Sequence, residues 1–86
     1  MSTNEIKKLL GSEKLLIGTD RVLKNLRNSK LEKVIMASNC EPKTAADIMH
    51  FAGLNSTKVD VLKISNDELG VTCKKPFSVS VIGILR

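Results

Sequence analysis

The sequence predicts an α/β domain, a three-layer α/β/α sandwich around a four-stranded mixed, largely parallel sheet. Short apolar runs alternate with amphipathic stretches from end to end, the pattern of strands joined by helical crossovers. Two of those runs, ending at Gly18 and near Asn39, give way at once to small polar turns. No linker, repeat or low-complexity segment interrupts the alternation, so residues 1–86 read as one domain.

Ser2 and Glu5 stand at capping-box spacing before a short helix through Leu10, which Gly11-Ser12 ends. Leu15–Ile17 make the first strand. A helix follows from Thr19 to Asn28, burying Val22, Leu23 and Leu26 and leaving Arg21, Lys24, Asn25 and Arg27 outside. Residues 33–37 form a continuous apolar run of the kind covered on both faces. Pro42 stands near the next helix start, with Thr44 and Asp47 at capping-box spacing. Ala45, Ile48, Met49 and Ala52 mark that helix's core face, and Gly53 closes it. Val59–Leu62 form a third strand, Ser65 and Glu68 cap a short helix that stops by Gly70, and Ser78–Leu85 form the last strand.

Fourteen Lys and Arg against nine Asp and Glu give a net charge of +5, which suits a polyanionic partner. No apolar run approaches the roughly 20 residues needed to cross a bilayer. The N-terminus lacks the charged and apolar regions of a signal peptide, so a cytoplasmic protein is expected. Cys40 and Cys73 form neither a C-x-x-C unit nor a disulfide framework and read as reduced thiols. His50 is the sole histidine, sits in mid-helix and has no Cys or carboxylate at metal-ligand spacing. With no phosphate loop, dinucleotide fingerprint or nucleophile motif either, the expectation is no enzyme, no cofactor and no metal.

The turns carry what chemistry there is. Gly18 lets the chain bend sharply where a helix N-terminus offers unpaired N–H groups to an anion, though a helix-entry glycine with no ligand looks the same. Thr19 and Asp20 open that helix, as plain N-terminal residues or facing bases and phosphates. Lys24, about one turn on, reaches a guanine edge or a phosphate, yet taken alone reads as a solvated face. Asn39, beside Cys40, both donates and accepts, as base recognition requires, and asparagine also favours turns for local reasons. Lys74 and Lys75 with Phe77 make a basic loop that clamps a backbone and stacks a base, or leads only to a core phenylalanine.

Four segments in order carry a resemblance: Gly18-Thr-Asp-Arg-Val-Leu-Lys24, Lys33-Val-Ile-Met-Ala-Ser-Asn-Cys-Glu-Pro42, Asp47-Ile-Met-His-Phe-Ala52, and Asp67-Glu-Leu-Gly70 with Lys75-Pro-Phe-Ser-Val-Ser-Val81. Over nearly its whole length the chain resembles the thirty-e family of archaeal and eukaryotic large-subunit ribosomal proteins. That family sits within the kink-turn RNA-binding superfamily that includes the archaeal seven-Ae protein. The resemblance implies a structural constituent of the large ribosomal subunit, associated with the ribosome and monomeric outside it. It would bind a kinked ribosomal RNA internal loop with tandem sheared G·A pairs, beside other large-subunit proteins and away from membranes. Gly18 and Thr19 would lie against the RNA backbone, Lys24 would face a guanine or phosphate, Asn39 would hydrogen-bond RNA, and Phe77 would meet the kink. The expected RNA-binding set is completed by Asp20, Arg21, Cys40, Lys74 and Lys75. Asp20 departs from the Asn, Lys or Arg that relatives carry, and Arg21 stands where the seven-Ae relatives have glutamate. The alternatives are a kink-turn subunit of a guide ribonucleoprotein or ribonuclease P, and an adaptor that lost RNA binding.

Overall fold

A computed structural model describes residues 6–8, 10 and 13–86. Among them, β1 (Leu15–Ile17), β2 (Leu31–Met36), β3 (Lys58–Val61) and β4 (Val81–Leu85) form one sheet in the order β1-β4-β2-β3. Helices α1 (Thr19–Arg27), α2 (Pro42–Asn55) and α3 (Asn66–Thr72) connect the strands. Residues 6–8 are helical as expected, while the Ser2–Glu5 cap and the Gly11-Ser12 stop lie outside the described residues.

The sheet is mixed, and its parallel character is confined to strand direction. β2 and β3 pair in parallel, whereas β4 pairs antiparallel with both β1 and β2. Strands β1, β2 and β3 therefore run one way and β4 runs against them, inserted between β1 and β2. The expectation of largely parallel pairing is corrected on this point. The cause is the path after β3: α3 descends about 10 Å, residues 74–80 climb back beside it, and β4 enters from the end that β3 has just left. Hydrophobic periodicity carries no information about that reversal.

Alternation along β2 divides the core. Val34 and Met36 face Val22 and Leu26 of α1 and Ile48 and Ala52 of α2, while Ile35 and Ala37 face Ile6, Leu69 and Cys73. Helical residues thus cover both faces, giving the expected three layers. At the end remote from the polar turns, Asn55 Nδ2 donates to the Leu26 carbonyl at 2.5 Å and accepts at Oδ1 from Ser29 Oγ at 2.7 Å. Arg86 Nε donates to the Ser29 carbonyl at 3.0 Å and ties the last strand into the same corner.

Several boundaries move, each for a local reason. The α2 helix starts with Pro42 at its first turn behind Glu41, so Thr44 and Asp47 lie inside the helix and do not cap it. It runs past Gly53 to Asn55 and ends at Ser56 in the left-handed conformation (φ 54°). Met49 lies at the margin of the buried stripe and is 56% exposed. Helix α3 has the expected Ser65 cap, accepting from the Glu68 N–H at 3.3 Å, but passes through Gly70 to Thr72. Gly70 serves packing and does not end the helix, because a Cβ there would lie 2.2 Å from the Phe77 carbonyl oxygen. Strand β2 begins at Leu31, and β3 begins at Lys58 and stops at Val61. The final strand contracts to Val81–Leu85, since Val79 gives its N–H to the Asn66 carbonyl at 3.1 Å and not to a neighbouring strand.

Candidate nucleic-acid interface

The antiparallel entry of β4 decides where the candidate residues meet. The loops that leave β1, β2 and β3 emerge at one end of the sheet, and the loop that leads into β4 arrives at the same end. Carboxyl ends of strands are where sites gather in open α/β sheets.

Gly18 follows β1 at φ 116° and ψ 139°, a backbone region reserved for glycine. Its N–H donates to the Val81 carbonyl at 3.3 Å, and its carbonyl accepts from the Val22 N–H at 3.1 Å, so the turn is fixed on both sides. No side chain caps α1, which leaves the first-turn N–H groups free for a ligand. Asp20 is exposed in that first turn, where a carboxylate complements the helix dipole. Arg21 is exposed beside it. Lys24 is exposed too, but about 6 Å further down the helix axis than Asp20.

Beyond β2, the Ala37 N–H donates to the Ser80 carbonyl at 2.9 Å and the Ser38 N–H to the Ile64 carbonyl at 2.8 Å. These bonds pin the second loop between β4 and β3. Asn39 then turns its carboxamide to Asn66 at the start of α3: Oδ1 accepts the Asn66 N–H at 2.8 Å, and Nδ2 donates to Asn66 Oδ1 at 2.9 Å. Cys40 closes the turn through its N–H to the Ala37 carbonyl at 3.2 Å. Both cysteines are free thiols. Burial pushes the Cys40 thiol up, reinforced by the Glu41 carboxylate; burial raises Cys73 also, partly opposed by Lys75. Both shifts favour the protonated thiol over the nucleophilic thiolate.

The third loop leaves α3 at Lys74 in the left-handed conformation (φ 57°). The Lys75 N–H donates to the Gly70 carbonyl at 3.0 Å, and Ser78 Oγ donates to Asp67 Oδ1 at 2.6 Å. Phe77 is 57% exposed, so it is a surface group and not the core phenylalanine that its approach to a strand allows. A shallow cavity of about 330 Å³ lies there, lined by Asp67, Val71, Lys75, Pro76, Phe77 and Ser78.

The turns at Gly18-Thr19 and Asn39-Cys40 therefore share one end of the molecule with the start of α3 and with Ser78–Ser80, while Phe77 sits lower, its carbonyl against Gly70 in the second half of α3. Lys74 and Lys75 are the outliers, both placed at the far end of α3 from Asn66, where the Lys75 N–H meets the Gly70 carbonyl. Asn66 is absent from the sequence-based set. The signal that points to it is the rule applied to the first two strands, since residues 62–66 leave the carboxyl end of β3 in the same way. Exposed cations at this end (Arg21, Lys43, Lys63) stand among the exposed carboxylates Asp20, Glu41, Asp67 and Glu68. Such a surface is no uniform phosphate clamp. Its recognition capacity lies in N–H groups, carboxamides and an exposed ring, the groups that read bases and shape. Among the described residues no three His, Cys, Asp or Glu side chains cluster as metal ligands.

The sequence model of the ribosomal protein L7Ae/L30e/S12e/Gadd45 family matches residues 2–86. The chain belongs to that family. Within it, the chain is 41% identical over 81 residues to the large ribosomal subunit protein eL30 of Sulfolobus acidocaldarius, covering 94% of this chain and 78% of the relative. It is 35% identical over 82 residues to the eL30 protein of Zea mays, covering 95% of this chain and 73% of that one. Two solved structures share the fold at lower identity. A Giardia lamblia 15.5kD RNA binding protein superposes with a TM-score of 0.83 at 20% identity, over 98% of this family member and 70% of that chain. A Bacillus halodurans protein of unknown function does so with a TM-score of 0.87 at 23% identity, over 98% and 83% of the two chains.

Proposed function

We propose that the protein is a structural component of the large ribosomal subunit that holds a kinked internal loop of ribosomal RNA, without turnover. The observation that supports this reading is the placement of the Gly18 and Asn39 turns at one end of the sheet, with the exposed Phe77 on the loop that climbs toward it, in a chain whose relatives are eL30 proteins. Gly18 admits close approach of an RNA backbone, and the uncapped start of α1 offers N–H groups to its phosphates. The Asn39 carboxamide meets a base edge, and Phe77 gives an unstacked base a face to pack on. A ribosomal role brings with it residence on the cytoplasmic ribosome and contacts with neighbouring large-subunit proteins.

Two substitutions test the site. Asn39→Ala is expected to weaken binding to a kink-turn RNA by about 1–3 kcal/mol in a filter or anisotropy titration. Unchanged affinity would sink the site. Lys24→Ala is expected to weaken binding at low salt and reduce the slope of log K against log salt by about 1. A slope equal to that of the unmodified protein would remove Lys24 from the phosphate contacts. Co-sedimentation in high salt tests the partner: the protein is expected on the large subunit, and recovery on a smaller particle would favour a guide ribonucleoprotein.

A further inference from the structure

We infer that Asn66 is a positioning residue that fixes the polarity of the Asn39 carboxamide before any RNA arrives. The inference rests on the RNA-binding reading of Asn39 and adds a residue to it. A backbone N–H can only donate, so the 2.8 Å bond from the Asn66 N–H identifies the Asn39 atom it meets as Oδ1. The second bond, from Asn39 Nδ2 to Asn66 Oδ1 at 2.9 Å, closes a two-point clasp that holds the amide plane as well as its direction.

Counting donors and acceptors gives what remains for a ligand. One lone pair of Asn39 Oδ1 and the second hydrogen of Nδ2 are unspent. Their order is set by α3, so the side chain offers an acceptor and a donor in one sequence only. A free asparagine in an exposed turn would sample both flips and would have to be ordered by the RNA. Asn66 is itself held, because its carbonyl accepts from the Val79 N–H at 3.1 Å and the neighbouring Asp67 accepts from Ser78 Oγ at 2.6 Å. The same residue therefore fixes Asn39 and anchors the loop that carries Phe77. This keeps two of the converging loops in register with each other.

A double-mutant cycle on a kink-turn RNA at one salt concentration tests the inference, using Asn39→Ala, Asn66→Ala and the pair together. Asn66→Ala keeps the backbone N–H on Asn39 Oδ1 but removes the acceptor that holds Nδ2 and the amide plane, and is expected to weaken binding about 3- to 10-fold when Asn39 is present and to have no effect in the Asn39→Ala background. The ratio of affinities for the kink-turn RNA and for the same RNA with its G·A pairs changed to G·C is expected to fall by a similar factor. The salt slope and the urea midpoint should stay in place, which a merely structural lesion would not allow. Asn66→Asp keeps an acceptor toward Asn39 Nδ2 and is expected to restore the ratio, while its charge lowers both affinities together. Equal losses in the two backgrounds, or a ratio that Asn66→Asp fails to restore, would overturn the positioning role and leave the site standing. An Asn39→Ala protein that binds as well as the unmodified one would instead overturn the site itself.

Discussion

Leu69→Ala is expected to lower the free energy of unfolding by about 2–5 kcal/mol, measured by urea denaturation. Leu69 is 0% exposed and belongs to the cluster with Ile6, Ile35, Cys73 and Ile82. Removing three carbons there leaves a cavity between a helix and the centre of the sheet. The loss is large because α3 has only seven residues and no stability of its own as a helix. It is held by its buried side chains. A domain of this size has a total stability of about 4–13 kcal/mol, so the substitution takes a large share of it. RNA affinity is expected to fall as well, since the start of α3 carries Asn66. Val71→Ala, two residues on at a 76% exposed position, serves as the contrast and is expected to change stability by no more than about 0.5 kcal/mol. Equal effects at the two positions would show that α3 is not anchored through Leu69.

Gly70→Ala is expected to destabilise the protein by about 2 kcal/mol and to displace the loop that carries Phe77. Two effects of opposite sign compete. Alanine is the better helix former by about 1 kcal/mol. Against it, the added Cβ would meet the Phe77 carbonyl oxygen at 2.2 Å, with the Phe77 carbonyl carbon at 3.2 Å and the Ser78 Cα at 3.3 Å. These are backbone atoms, held by the bonds from Lys75 to Gly70 and from Val79 to Asn66, so no side-chain rotation relieves the clash. Overpacking typically costs about 1–3 kcal/mol, and against backbone atoms that cannot rotate away the upper end of that range applies, so it wins. Gly53→Ala isolates the other term, because a Cβ at that helical position meets nothing within 4 Å. It is expected to stabilise by up to about 1 kcal/mol. The same substitution should therefore carry opposite signs at two helical glycines, and a gain at Gly70 would mean that the loop does not rest on α3.

Leu15–Ile17, the Val22 and Leu26 stripe, and the Ser65 cap were legible because each is set by residues within one or two turns of chain. The sequence predicts helix ends at Gly53 and Gly70, since a glycine late in an amphipathic pattern usually marks one. Both are interior to helices, and their reasons differ. Gly70 makes room for a segment seven residues further on, while nothing in the structure explains Gly53. Asn39 was legible as a polar turn residue, but its partner Asn66 was not, because the two bonds between them span 27 residues.

The sequence by itself determined the alternation of helices and strands, the aliphatic core, and the polar turns at Gly18 and Asn39. Composition and short-range periodicity are enough for these, because each is decided by which face of a local element avoids water. Tertiary structure alone decided that β4 runs antiparallel between β1 and β2. That choice brings Ser78–Ser80 to the same end as Gly18 and Asn39, with Phe77 just below on the same loop, and it depends on the chain reversing beside α3 to seat Val79 and Ile82 against Leu69 and Cys73. Strand direction leaves no trace in a hydrophobic pattern of period two. It is settled by which closure of the chain buries both faces of the sheet, a property of all the elements together.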